Sequence, residues 1–349
     1  FIACILTNSS LAQMAAASLF SEMKSVNPAV IGGRQNGQYS FVLHSDKYEK
    51  MQDLGDEKAD MQSSITGFSA FRGGKSGGLI TTELSLILQS GDREILFRGG
   101  VADFDITADV AYNQFELGIG ISEYFGVTIS RQDFELTQKF KATGINSNES
   151  INRDALGLKL GTVLPLGPLR MSAYYEMLSA SQVVKSERPA LPESSTKPKN
   201  KFFGLGFGLV TKSFHVELGL ERFLNPEKGL LEADEDPAPE AQNRLSATIE
   251  FLIGSIALGY TGRLYQDGYK NQDQTIVNQL IYDNSTEDRL EHIVNFSLGA
   301  DKGFSFGGSA IYSKTEGEER NPLMPSSIKT TYPTESTQFG AMVKVGFVW

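Results

Sequence analysis

The sequence predicts one all-β unit, an antiparallel sheet of about fourteen strands closed into a barrel that crosses a membrane, with a short plug before the first strand. Three observations carry this. Apolar residues recur at every second position in segments of strand length, which puts each set on one side of a pleated strand. Short turns alternate with long polar stretches. The 349 residues are 40% hydrophobic with a mean hydropathy of −0.20, and no run reaches the roughly 18 apolar residues of a spanning helix. A barrel escapes that last test, because only every second residue of its strands meets lipid.

Taken in order, residues 1–12 are expected to be the remnant of a secretory signal, with Ser10-Leu11-Ala12 suiting cleavage before Gln13. Cys4, the single cysteine, lies inside that segment, so disulfides, thiolate metal sites and cysteine nucleophiles are not expected. Residues 13–35 form the expected plug. Ala15–Ala17, Leu19, Phe20 and Met23 favour a short helix that Pro28 ends.

The barrel is expected over residues 36–349. Its first strand runs at about 37–46 with Tyr39, Phe41 and Leu43, and the second near 62–72. After Gly73–Gly78 a third strand carries Leu84, Leu86 and Leu88. Residues 89–109 read as irregular, and a fourth strand descends through Phe115, Leu117 and Ile119 to Ile121. Five turns follow, at Ser122-Glu123, Pro165–Pro168, Thr211–Ser213, Gly254-Ser255 and Asp301–Gly303. They are about 44 residues apart, the length of two membrane strands and one long loop. The long loops are expected at 138–152, 181–200, 225–241, 267–287 and 314–334, outside the cell, with the turns in the periplasm. The sets between them alternate well, as in Phe203, Leu205, Phe207 and Leu209, or Leu245, Ala247, Ile249 and Phe251.

Aromatic residues gather beside the turns: Tyr124, Phe125, Phe214, Phe304, Phe347 and Trp349. Amphipathic rings favour the lipid–water boundary, so these are expected to form a belt. The last strand alternates Phe339, Ala341, Val343, Val345, Phe347 and Trp349 on one face. It resembles the C-terminal recognition strand of bacterial outer-membrane barrels, and Phe347 with Trp349 would be its insertion signal, read by the barrel-assembly machinery.

The opposite faces of these strands carry many glycines, which leave room for a plug backbone or a channel. They also carry charges of both signs: Glu116, Lys159, Arg170, Glu176, Glu217, Glu221, Arg244, Glu250, Arg263 and Lys344. Unpaired charges in a narrow space are costly, so these are expected to pair across the lumen or to face water. A structural network that stiffens the wall is the first reading of them, since paired charges are not by themselves a functional site.

Ser25-Val26-Asn27-Pro28-Ala29 contains an early Asn-Pro-Ala and resembles the FadL-like family of long-chain fatty acid and hydrocarbon transporters. The irregular stretch after the third strand is similar to the kinked strand through which such proteins open sideways. The resemblance implies a fourteen-stranded barrel in the bacterial outer membrane with an inward N-terminal hatch. It implies passive uptake of small hydrophobic molecules along Phe20, Met23, Asn27, Pro28 and Ala29, with 89–104 as a lateral exit. Outer-membrane lipids would be partners. A general diffusion porin, which could form a homo-oligomer, and a structural lipid-organising barrel are the alternatives.

Other chemistry is thinly represented. The net charge of −10 argues against nucleic acid. Gly74-Lys75-Ser76 lacks the earlier glycine of a phosphate loop. His44, His215 and His292 have no nucleophile in a recognisable frame, so no enzyme is expected. His215 is placed for a lumen hydrogen bond with Glu217 nearby. The acidic stretch 227–240 lacks the spacing of a calcium loop and reads as solvated, so neither metal nor cofactor is expected.

Overall fold

The fold was examined in a computed structural model, which describes residues 27–31, 38–53, 57–75, 80–99, 104–122, 124–142, 145–187, 194–197, 199–211, 213–224, 243–268, 286–299, 303–320 and 331–348. Pro28–Ile31 form a 3-10 turn. The strands are β1 Gln38–Asp53, β2 Glu57–Lys75, β3 Ile80–Gly99, β4 Phe104–Ile121, β5 Phe125–Ala142, β6 Ile145–Leu166, β7 Leu169–Ser186, β8 Ser194–Thr196, β9 Lys199–Val210, β10 Phe214–Leu224, β11 Asn243–Ile253, β12 Ile256–Gly268, β13 Thr286–Gly299, β14 Gly303–Arg320 and β15 Thr331–Val348.

Each strand pairs antiparallel with its neighbours in the chain, β6 also pairs β7, and β15 returns to β1. The short β8 lies on β7 in the same register as β9: Gln182 faces Thr196 and Ser179 faces Lys199. The two are one strand in two pieces, and the sequence places Pro198, which has no N–H to give a ladder, between them. The result is the expected closed ring of fourteen strands, with no free edge.

The faces obey the period of two. Outward residues are apolar in a band and turn polar at one end of it: Leu88 is followed outward by Ser90, Phe115 by Asn113, Ile129 by Arg131, Leu156 by Asp154, Phe203 by Lys201 and Leu220 by Arg222. At the short-turn end Tyr39, Phe347 and Phe304 face outward in one register row, and the Phe304 and Phe347 rings meet edge-on at 5.2 Å. Near the far edge stands a second row of His292, Tyr312 and Phe339. From Phe339 to Phe347 is ~26 Å along the strand, or about 20 Å across the membrane at a tilt of ~40°, the scale of a hydrocarbon band. Soluble barrels do not leave such a band on the outside. The exposed side chains of Leu43, Leu156, Phe207, Leu218, Val294 and Phe339 are lipid-facing. Trp349 lies outside the described residues.

All five predicted turns join strands here, and Gly167, Gly254 and Gly303 take positive φ in three of them. The other end departs from expectation. Residues 89–99 and 104–109 are not irregular: β3 continues to Gly99, β4 starts at Phe104, and the two pair down to Phe97 and Phe104. The 138–152 loop is a tight connection, because β5 runs to Ala142 and β6 starts at Ile145. Likewise β14 reaches Arg320 and β15 begins at Thr331. Above the band both faces of β3 are wet. Asp92 and Glu94 point outward there while Gln89 and Gly91 point inward, so alternation vanishes although the ladder persists.

The wall is therefore uneven among the described strands. β1 to β7 contain 16 to 22 residues, whereas β9 to β12 contain 11 to 13. The mean difference of about 7 residues is ~23 Å of strand. Residues 225–242 and 269–285, where two long loops are expected, lie outside the described part, as do residues 1–26 with the expected signal remnant and most of the plug.

Candidate functional site

The inward faces of β4, β5 and β6 converge near the short-turn end on the residues before β1. Asn27, Pro28, Ala29 and Ile31 are buried there. Asn27 Nδ2 donates to the carbonyls of Thr162 and Ala173, each at 3.0 Å. Those two residues face each other across the β6–β7 ladder, so one amide straddles the seam between two wall strands. The Ala29 N–H donates to Asn27 Oδ1 at 3.0 Å, which closes the turn. Glycines make the seat. A Cβ at Gly126 would overlap the Pro28 carbonyl, one at Gly161 the Asn27 side chain, and one at Gly118 the Ile31 side chain. Phe20 and Met23 lie outside the described residues.

Not every inward glycine leaves room in this way. Tyr174 lies over Gly204, whose Cβ would strike the ring, and Asn295 lies over Gly259. The first of these arrangements builds a row across four strands. Tyr174 faces Gly204, Gly204 faces Glu221 and Glu221 faces Arg244. The Tyr174 hydroxyl donates to one Glu221 oxygen, and the Arg244 guanidinium donates to the other. Only with Gly204 between them can the ring reach that carboxylate.

All ten predicted lumen charges stand on inward faces. Three ion pairs run along the wall between residues directly opposed in register. Lys159 meets Glu176 at 3.0 Å, Arg263 meets Glu291 at 3.1 Å, and Arg244 meets Glu221. Glu116 accepts from Gln114, which itself accepts from the Tyr112 hydroxyl, a chain of hydrogen bonds up β4. Glu250 lies 3.8 Å from His215, which is also 3.6 Å from Glu217. His215 thus lies between two carboxylates. Lys344 is buried on β15. Arg170 and Glu217 remain exposed near the short-turn end.

Glu83, Arg153 and Glu291 also belong to the inward face and were missed. Parity held the signal: Glu83 shares its face with Thr81 and Ser85, opposite Leu84 and Leu86, and Glu291 shares its face with Ile293 and Asn295. His292 points the other way from Glu291. Its Nδ1 is 2.6 Å from the Tyr260 hydroxyl and its ring stacks on Tyr312, so it belongs to the outer aromatic row. His44 lies on β1.

Together these features define a class: a transmembrane β-barrel of the outer-membrane type whose N-terminal turn is seated inside the wall. No family model matches the chain, and no curated protein does. Solved structures do. A FadL homologue of Pseudomonas aeruginosa aligns over 96% of this chain and 95% of its own, with 11% identity and a TM-score of 0.59. The toluene transporter TodX of Pseudomonas putida aligns over 95% of each, with 11% identity and a TM-score of 0.59. The monoaromatic hydrocarbon channel CymD covers 93% and 91%, with 10% identity and a TM-score of 0.54. The fold is that of the FadL-like channels.

Proposed function

We propose that this barrel admits small hydrophobic molecules across the bacterial outer membrane by a passive route that the N-terminal segment obstructs. The observation that carries the reading is the seat of Asn27–Ile31: a turn buried inside the wall, fixed by Asn27 to two strands and accommodated by three glycines. Beyond it, Phe134, Leu136, Ile151 and Leu178 form a buried apolar inward patch on β5 to β7. Val42, Ile293, Ile311 and Met342 form a second on the far wall. Apolar inward surface has no use in a barrel meant for ions and gives a greasy solute a place to rest. The structural neighbours that carry toluene or monoaromatic hydrocarbons in their names support the same class of cargo. Phe20 and Met23 complete the proposed plug, and Phe347 with Trp349 the proposed insertion signal.

The lateral exit at 89–104 receives no support, because β3 is paired on both sides through residues 81–97. The test is a reconstituted bilayer. Deleting residues 14–29 is expected to raise ion conductance several-fold and to abolish the preference for hydrophobic over polar solutes. Unchanged conductance together with unchanged preference overturns the plug. The inward ion pairs favour a second reading, a water-filled diffusion porin. Steady large openings of the intact protein would select it.

A further inference from the structure

We propose that the outward face of β8 to β10, just past the apolar band, is a binding site for the phosphate groups of the glycolipid in the outer leaflet, with Lys197, Lys199, Lys201 and Arg222 as its cations. The proposal goes beyond the channel reading. It rests only on the barrel spanning the membrane with its short turns on the inner side.

Lys197, Lys199 and Lys201 occupy alternate positions. Because β8 and β9 hold one register on β7, the interruption between them does not change the face, and all three point outward. Arg222 of β10 lies opposite Phe203, hence diagonal to Lys201. With ~3.4 Å per residue along a strand and ~4.8 Å between strands, the four cations share one small patch.

Height fixes the partner. Phe203 is the last lipid-facing apolar residue of β9, with Lys201 the next outward residue beyond it, and on β10 Arg222 follows the lipid-facing Leu220. That is the level of lipid headgroups.

Charge completes the case. Among the described residues, the outward faces of β7 to β11 carry no Asp or Glu. Elsewhere the outward rim mixes both signs. Lys47 meets Glu49 at 2.6 Å, Arg131 meets Asp133 at 3.3 Å and Asp154 at 3.5 Å, and Lys314 meets Glu316 at 2.8 Å and Glu335 at 2.9 Å. In a chain of net charge −10, a wholly basic outward sector at headgroup height is complementary to an anionic lipid surface. Exposed lysine stems also lie along apolar surface while their ammonium groups reach outward, which suits a phosphate at the boundary.

The test uses the purified full chain in micelles of uncharged detergent, titrated with bisphosphorylated lipid A and with the same lipid dephosphorylated, and read by native mass spectrometry. Wild type is expected to favour the phosphorylated lipid at least tenfold, and salt to erode that preference. Combined Lys197→Gln, Lys199→Gln, Lys201→Gln and Arg222→Gln is expected to abolish it, whereas Lys47→Gln with Lys314→Gln keeps it. Equal binding of the two lipids by wild type overturns the site and needs no variant, so misfolding cannot mask the answer. Full competition by inorganic phosphate at equal concentration also overturns it, as does a variant that alters only the number of chains per particle. Solute passage is not read, so failure here leaves the channel reading standing.

Discussion

On β4, β5 and β6 the space above the inward glycines is taken by Asn27–Ile31, whereas on β9 and β12 it is taken by Tyr174 and Asn295 reaching over from neighbouring strands. The first half of the ring thus receives a piece of backbone from elsewhere in the chain. The second half closes over itself with a polar row running from Tyr174 to Arg244. One residue type therefore serves two purposes, and only the partner tells them apart. A glycine beside another segment's backbone is a seat, while one beside a neighbouring side chain is a shelf.

The largest effect is expected in the self-closed half. Glu221→Ala removes the carboxylate that the Arg244 guanidinium bonds on the inward wall, and the loss should be about 3–5 kcal/mol by urea unfolding in lipid. Glu221→Ala with Arg244→Ala should cost less, and a double variant worse than the single would contradict this account. Next come the two outer faces. Leu158→Arg and Leu218→Arg, one in each half, should each cost about 2–4 kcal/mol if both sit deep in hydrocarbon. A marked inequality would show that the band is not level around the ring.

Smaller, but more diagnostic, is the pair Gly126→Ala and Gly204→Ala, each costing about 1–3 kcal/mol from crowding. The first must displace the rigid Pro28 carbonyl, so it should raise conductance. The second can be met by swinging the Tyr174 ring, so conductance should stay as it was. Smallest is Lys314→Ala, above the membrane. The Lys314 ammonium hydrogen-bonds Glu316 and holds its carboxyl below the ordinary value. In wild type the pair therefore persists above the usual carboxylate range and is lost as pH falls through the lowered value. In the variant the Glu316 titration should move upward by carbon-13 NMR, with no measurable change in stability.

How much of this could be read in advance follows from which physics writes itself into a sequence. The lipid-facing sets and the five turns were legible, since hydrocarbon demands apolar residues on one face and tight connections demand residues such as Gly167 and Gly254. Strand length above the band was not. Asp92 and Glu94 on β3 sit in a ladder whose two faces both meet water, so they looked like irregular chain. The inward charges were visible by parity. Their partners were not, because the pairing of Glu221 with Arg244 depends on the register between β10 and β11, which hairpin length alone leaves open. The glycines posed the same difficulty: nothing local separates Gly126 from Gly204.

One feature of the ring bears on how such a chain can be made. Val348 lies beside Gln38, so the last strand seals the cylinder against the first. Before that contact exists, two bare margins carry N–H and C=O groups that hydrocarbon cannot solvate, each at a penalty of several kcal/mol. A product cut short within β15 has no half-finished resting place in the bilayer. Insertion of this chain is therefore all-or-none, and its quality control is built into the seam.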